Sequence, residues 1–140
     1  MYIELNLKYN DIEVILMNKK FYVCPICGNI IEIVGKKKND VVCCGKAMEV
    51  LEANTTDAAL EKHVPVFEIV DDTIIVTVGE TIHPMEEDHY IEWIEVISEN
   101  EVCRKYLNPG DEPKASFKYI TGSTIYAYCN KHSLWKCDVK

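Results

Sequence analysis

Residues 89–98 read His89-Tyr90-Ile91-Glu92-Trp93-Ile94-Glu95-Val96-Ile97-Ser98, a β-branched and aromatic run in which Tyr90-Ile91-Glu92-Trp93 alternates apolar with polar side chains. Alternation of period two in such a composition marks a strand with one buried face. Six similar runs surround it: Val64–Val70, Thr73–Val78, Glu101–Leu107, Ala115–Tyr119, Ser123–Tyr128 and Leu134–Val139. Turn residues separate them at Asp71-Asp72, Gly79-Glu80, Asn108-Pro109-Gly110-Asp111 and Thr121-Gly122. Seven short strands at this spacing predict a mainly β fold, with an immunoglobulin-like antiparallel β-sandwich over residues 53–140. At its start, Ala53–Lys62 is the one stretch with helical character, and Asp57 is placed to cap Ala58-Ala59-Leu60-Glu61.

Residues 18–52 read as a separate small module. Phe21-Tyr22-Val23 and Ile30–Val34 are strand-like and flank the turn Cys24-Pro25-Ile26-Cys27-Gly28. A basic tip at Gly35–Lys38 follows, and Val41-Val42 leads into Cys43-Cys44-Gly45. So short a module cannot be held by apolar burial alone, and a structural metal is expected. Residues 1–17 form an N-terminal extension that reads two ways. Glu4–Tyr9 alternates like an additional strand, while Met17 before Asn18-Lys19-Lys20 resembles a start.

Composition narrows the function. A net charge of −8 and a pI near 5.0 repel nucleic acid phosphates, which leaves small molecules and proteins as partners. Met1–Met17 carries Glu4, Asp11 and Glu13 and lacks the order of a secretory signal, and runs such as Val64–Val70, with Glu68 inside it, are too short to span a membrane. The expectation is a soluble cytoplasmic protein. Seven cysteines, an odd number, favour metal ligation over a complete disulfide framework.

Two donor sets occupy separate stretches. Cys24 and Cys27, with fifteen residues before Cys43-Cys44, offer four thiolates, the soft donors that take zinc or iron in tetrahedral geometry. Adjacent cysteines diverge along an extended backbone, so using both on one ion is expected to distort the tetrahedron. The chemistry of the thiolates leaves zinc and iron open. All four histidines, His63, His83, His89 and His132, fall in loop-like motifs, with Cys129 three residues before the last. Several imidazoles joined by a single thiolate make a strongly donating site for a redox metal.

The order of these donors resembles that of the two-iron superoxide reductases of the desulfoferrodoxin type. His63 is followed by twenty residues to His83, six to His89, forty to Cys129 and three to His132, with the four-cysteine segment upstream. The resemblance covers nearly everything from residue 18 onward. It implies two irons per chain. Cys24, Cys27, Cys43 and Cys44 would hold the first, in a desulforedoxin-like domain. His63, His83, His89 and His132 would hold the second in a plane, with Cys129 as axial thiolate and a sixth position open to superoxide.

The same resemblance implies reduction of superoxide to hydrogen peroxide, with a rubredoxin-like electron donor and a homodimeric assembly. It gives Lys62 the role of a local cation that draws in the anion, and Glu61 that of a carboxylate occupying the open position after turnover. A different class of reading keeps the metals for electron transfer or redox sensing without superoxide turnover, and a zinc-bound interaction module is a third. Two positions depart from the family pattern: Ser133 stands where glycine is common, and Asp88 where a basic residue is frequent. Cys103 and Cys137 remain outside both donor sets, as inert thiols or as a redox-linked pair.

Overall fold

The computed structural model describes residues 21–35 and 40–140. The extension over residues 1–17 and most of the basic tip at Gly35–Lys38 lie outside the described residues. The chain divides into two compact units at Glu52 and Ala53. Among the described residues no helix is long and apolar enough to cross a membrane.

In the first unit, β1 (Phe21–Val23) is central, pairing antiparallel with β2 (Ile30–Glu32) and β5 (Glu49–Val50). Between them, β3 (Val42–Cys43) and β4 (Lys46–Ala47) form a hairpin in which Val42 faces Ala47 and Cys43 faces Lys46. Its two-residue turn is Cys44-Gly45, with φ of 53° and 73°. Positive φ at both centres is the conformation whose twist matches the flanking strands. The first cysteine pair sits on a knuckle closed by Gly28 N–H to the Cys24 carbonyl at 3.0 Å, with Gly28 at φ 75°. The strand read at Ile30–Val34 ends at Glu32, and the hairpin of two-residue strands is too short to leave a periodic signal.

The second unit opens with a single helical turn, α1 (Leu60–His63), followed by seven strands: β6 (Pro65–Val70), β7 (Thr73–Val78), β8 (Ile91–Ile97), β9 (Val102–Tyr106), β10 (Lys114–Lys118), β11 (Thr124–Cys129) and β12 (Ser133–Asp138). They form two antiparallel sheets, of order β10-β7-β6 and β12-β11-β8-β9, an immunoglobulin-like sandwich. The helix begins later than the cap at Asp57 implied. Its N-cap is Ala59, with no side-chain cap, so neighbouring structure and not capping fixes the turn.

The core fills the space between the sheets. β7 alternates strictly, burying Ile74, Val76 and Val78, and these meet Ile94 and Val96 of β8, Ile125 and Ala127 of β11, and Phe117 of β10. Each such aliphatic side chain contributes about 1.5–3 kcal/mol on burial. Between Tyr128 and Cys129 the register slips: Tyr128 faces Trp93, but Cys129 faces Ile91, leaving Glu92 as a bulge. Cys129 continues the inward face of Ile125 and Ala127 and is fully buried at the end of β11, while the bulge on β8 turns Ile91 into the core opposite it.

The register also decides the two spare cysteines. Cys103 faces Val96, Val96 faces Ile125, and Ile125 faces Cys137, so three strand intervals separate the sulfurs' backbones. At ~4.8 Å per interval the span is ~14 Å, twice what a disulfide bridges. The redox-linked pair is thereby excluded.

Where the sheet ends, Gly79 abuts the helical turn. A Cβ there would stand 2.7 Å from the Glu61 carbonyl oxygen, 2.9 Å from the Lys62 carbonyl carbon and 3.0 Å from the Val64 carbonyl oxygen. Thr81 N–H also donates to the Glu61 carbonyl at 2.8 Å. Only glycine fits beneath the turn that carries His63. Gly79→Ala is therefore expected to destabilise the chain by about 1–3 kcal/mol through overpacking, read from the urea midpoint, and an unchanged midpoint would show that the turn yields freely.

Candidate metal centres

In the first unit the sulfurs of Cys24, Cys27, Cys43 and Cys44 lie within 4.8 Å of one another. Cys27 and Cys43 sulfurs are 3.7 Å apart, and Cys43 and Cys44 sulfurs 3.9 Å. A tetrahedron with ~2.3 Å metal–sulfur bonds has edges of ~3.8 Å, so the spacing fits one ion. The adjacent cysteines do not diverge as an extended backbone would make them: the left-handed conformation of Cys44 brings its sulfur back beside that of Cys43.

The electrostatics of this cluster call for a cation. The Cys24 thiol is lowered to about 6, first by the Cys27 backbone N–H, which points at its sulfur from 3.5 Å. Cys43 is pushed up to about 12 by its bonds to Cys24 and Cys27, and Cys44 is raised chiefly by Cys27. The Cys24 thiolate forms readily, while Cys43 and Cys44 are held toward the thiol form. A divalent metal reverses that order by ionising all four.

In the second unit four rings close a square. Ring centroids of His63 and His83 are 4.6 Å apart, His83 and His89 4.7 Å, His89 and His132 5.0 Å, and His132 and His63 4.8 Å. Each neighbouring pair meets edge to face, at 76° to 90°, while His63 and His89 lie across the square at 6.3 Å. His63 Nε2 stands 3.1 Å from His83 Nε2 and 3.0 Å from His132 Nδ1. Adjacent donors at right angles around an ion with ~2.1 Å bonds are ~3 Å apart. Cys129 Sγ lies 3.9 Å from His132 Nδ1. The Nε2 of His89 is buried without a hydrogen-bond partner among the described residues, which is costly unless a metal takes its lone pair. The donor set thus fits a redox ion such as iron.

Each donor comes from a different structural device. His63 ends α1, and its Nδ1 pairs with the Ala59 carbonyl at 2.7 Å. His83 follows β7, its Nδ1 against the Pro84 carbonyl at 2.6 Å. With Nδ1 protonated by these contacts, Nε2 is left free to coordinate. His89 closes a tight turn with Glu86, Cys129 ends β11, and His132 occupies the loop before β12. Trp135 is a residue that donor counting misses. Fully buried, it stacks on His63 at 4.8 Å and donates from Nε1 to the His132 carbonyl at 2.9 Å, tying two of the four rings together. Its position three residues after His132 is the only sequence signal for it.

Of the other residues singled out from the sequence, Glu61 and Lys62 are exposed on α1 immediately before His63. Their charges reach the ring, Glu61 favouring its protonation and Lys62 opposing it. Asp88 forms an exposed ion pair with Lys131 at 3.6 Å. Ser133 adopts φ 67°, the left-handed conformation that glycine takes without cost. Neither departure displaces a donor.

Burial favours the neutral form of His63, His83 and His89. It lowers His63 and His89, and it takes His83 down to about 4. Burial also pushes the Cys129 thiol up, opposed by the backbone N–H groups of Lys131 and His132. For His83 the folded chain binds fewer protons than the unfolded one between the ordinary value of 6.5 and about 4. Stability supplied by the neutral ring is full above that window and falls as pH drops through it. The urea midpoint of the metal-stripped chain is expected to fall from pH 7 to pH 4.5 more steeply than that of His83→Gln. Parallel profiles would show that His83 is not held neutral.

Comparison with known proteins places these centres. The profile of the desulfoferrodoxin family matches residues 55–138, and that of the desulfoferrodoxin N-terminal domain residues 17–51. Desulfoferrodoxin of Syntrophotalea carbinolica is 51% identical over 84% of this chain and 94% of its own length. Desulfoferrodoxin of Nitratidesulfovibrio vulgaris is 45% identical over 85% and 95%. Among solved structures, the superoxide reductase of Treponema pallidum aligns with a TM-score of 0.66 at 26% identity, covering 84% of this chain and 97% of that one. The superoxide reductase of Giardia intestinalis, a one-iron form, aligns at 0.52 and 31%, covering 57% of this chain and 98% of that one. The four-cysteine and four-histidine, one-cysteine sites match the two iron centres of desulfoferrodoxins. By its sequence along both units and by both donor sets, the chain belongs to the desulfoferrodoxin family.

Proposed function

We propose that this chain is a superoxide reductase, which adds one electron and two protons to superoxide and releases hydrogen peroxide, in the service of superoxide detoxification. The observation that carries the reading is the closed square of imidazoles with the buried Cys129 thiol beside it. In this reading His63, His83, His89, His132 and Cys129 hold the catalytic iron, and Cys24, Cys27, Cys43 and Cys44 hold the other. Iron held by these five donors would supply the electron and a positive charge that favours the anion.

The chain's own residues manage the approach and the protons. Against a net charge of −8, superoxide needs a local positive field, and the exposed Lys62 beside His63 provides it. Glu61, one residue earlier, is the carboxylate that closes the site between turnovers. As an anion it accepts hydrogen bonds and donates none, so both protons come from water. The lost electron returns from a rubredoxin-like small carrier, with the chain acting as a cytoplasmic homodimer.

The test is a pulse of superoxide delivered to the reduced protein. One hydrogen peroxide per superoxide, with no dioxygen released, is the expected result. Dioxygen release would mean dismutation, and consumption no faster than with free iron would make the chain an electron carrier or sensor. In the same measurement Lys62→Ala is expected to slow the second-order reaction about tenfold at low ionic strength with iron content unchanged, and an unchanged rate would remove Lys62 from the mechanism.

A further inference from the structure

His89 is the donor with the weakest support of its own. His63 and His83 each pair their second ring nitrogen with a backbone carbonyl, Cys129 is fixed in the ladder of β11, and His132 is held through Trp135. His89 lies instead on a four-residue turn secured by its backbone to Glu86, at 2.9 Å and 3.1 Å. Besides the exposed Asp88–Lys131 ion pair, the Asn130 side chain joins this turn to the Cys129–His132 loop. Asn130 Oδ1 accepts from the Tyr90 N–H at 2.9 Å, and Asn130 Nδ2 donates to the Asp88 carbonyl at 3.0 Å. Its own N–H donates to the Tyr90 carbonyl at 3.2 Å. The side chain therefore grips the residue on each side of His89, while its backbone follows directly on Cys129.

We infer that Asn130 is a positioning residue for the second centre, setting His89 against Cys129 by clasping residues 88 and 90 from the Cys129–His132 loop. A carboxamide suits this task because it offers one donor and one acceptor in a plane, as a strand's own peptide does. Aspartate keeps the acceptor for Tyr90 but turns an anion toward the Asp88 carbonyl. Alanine releases both bonds. The inference rests on His89 and Cys129 serving one metal and not on superoxide being the substrate.

A built-in comparison separates positioning from bulk stability. Asn54 makes a similar pair of side-chain bonds, Nδ2 to the Lys136 carbonyl at 3.2 Å and Oδ1 from the Lys136 N–H at 2.9 Å, without flanking a donor. Its φ of 62° lets glycine replace it without strain.

The experiment follows loss of ferrous iron from the full chain to a chelator, together with the thiolate absorption of the oxidised second centre. Asn130→Ala is expected to weaken iron retention about tenfold, the lower end for groups that orient ligands, and to shift the thiolate band. Asn130→Asp falls between it and the parent chain, and Asn54→Gly changes neither reading. In a His89→Ala background, Asn130→Ala should add no further loss, because the two act through one ring. A full further tenfold loss there, or parental retention in Asn130→Ala, overturns the proposal. Should Asn130→Ala fail to fold, Asn130→Asp alone and in the His89→Ala background is read by the same outcomes. Retention unchanged by His89→Ala would remove His89 from the metal site, a failure distinct from that of Asn130.

Discussion

The second unit is organised around imidazole nitrogens brought to about 3 Å of one another inside a protein, a placement that suits a cation sharing their lone pairs. Burial favours neutral His63, His83 and His89, which lessens proton competition near pH 7, and His89 Nε2 is left with no partner among the described residues. The sandwich supplies the rigidity that such a cluster requires. Donors arrive from the end of α1, the segment after β7, a turn before β8, the end of β11 and the loop before β12. Fixing five such segments by loops alone would lose precision, and here each is anchored to a sheet end, a carbonyl, Gly79 or Trp135.

The first unit solves the same problem at smaller scale. Its strands are two or three residues long and bury little, so the sulfurs themselves join the two knuckles. Cys24 ionises early because a backbone N–H faces it, and sulfur–sulfur hydrogen bonds hold Cys43 and Cys44 toward the thiol form in the absence of a metal. Adjacent cysteines work as ligands because the Cys44-Gly45 turn is left-handed throughout.

Much of this was legible in the sequence, for physical reasons that can be traced to particular residues. The seven strands of the sandwich follow from β-branched and aromatic runs set off by turn residues, as at Thr73–Val78 between Asp71-Asp72 and Gly79-Glu80. Both donor sets follow from residue type and order. What the pattern could not carry is geometry set by single backbone conformations. The Cys44-Gly45 turn reversed the expected divergence of adjacent sulfurs, the bulge at Glu92 turned Ile91 into the core opposite Cys129, and the strand order separated Cys103 from Cys137. The cap at Asp57 failed because the turn at Leu60–His63 is fixed by its packing on Gly79. Trp135 escaped because a tryptophan near a strand reads as core, and only the fold reveals that it also holds two ligand loops.

The central claim is that both donor sets are built for redox iron. Iron and zinc content of the purified chain, taken with visible absorption of the oxidised protein, tests it most directly. The account predicts two irons per chain, with separate thiolate charge-transfer bands from the four-cysteine and the histidine and cysteine centres. Zinc in both sites and a colourless protein would contradict it.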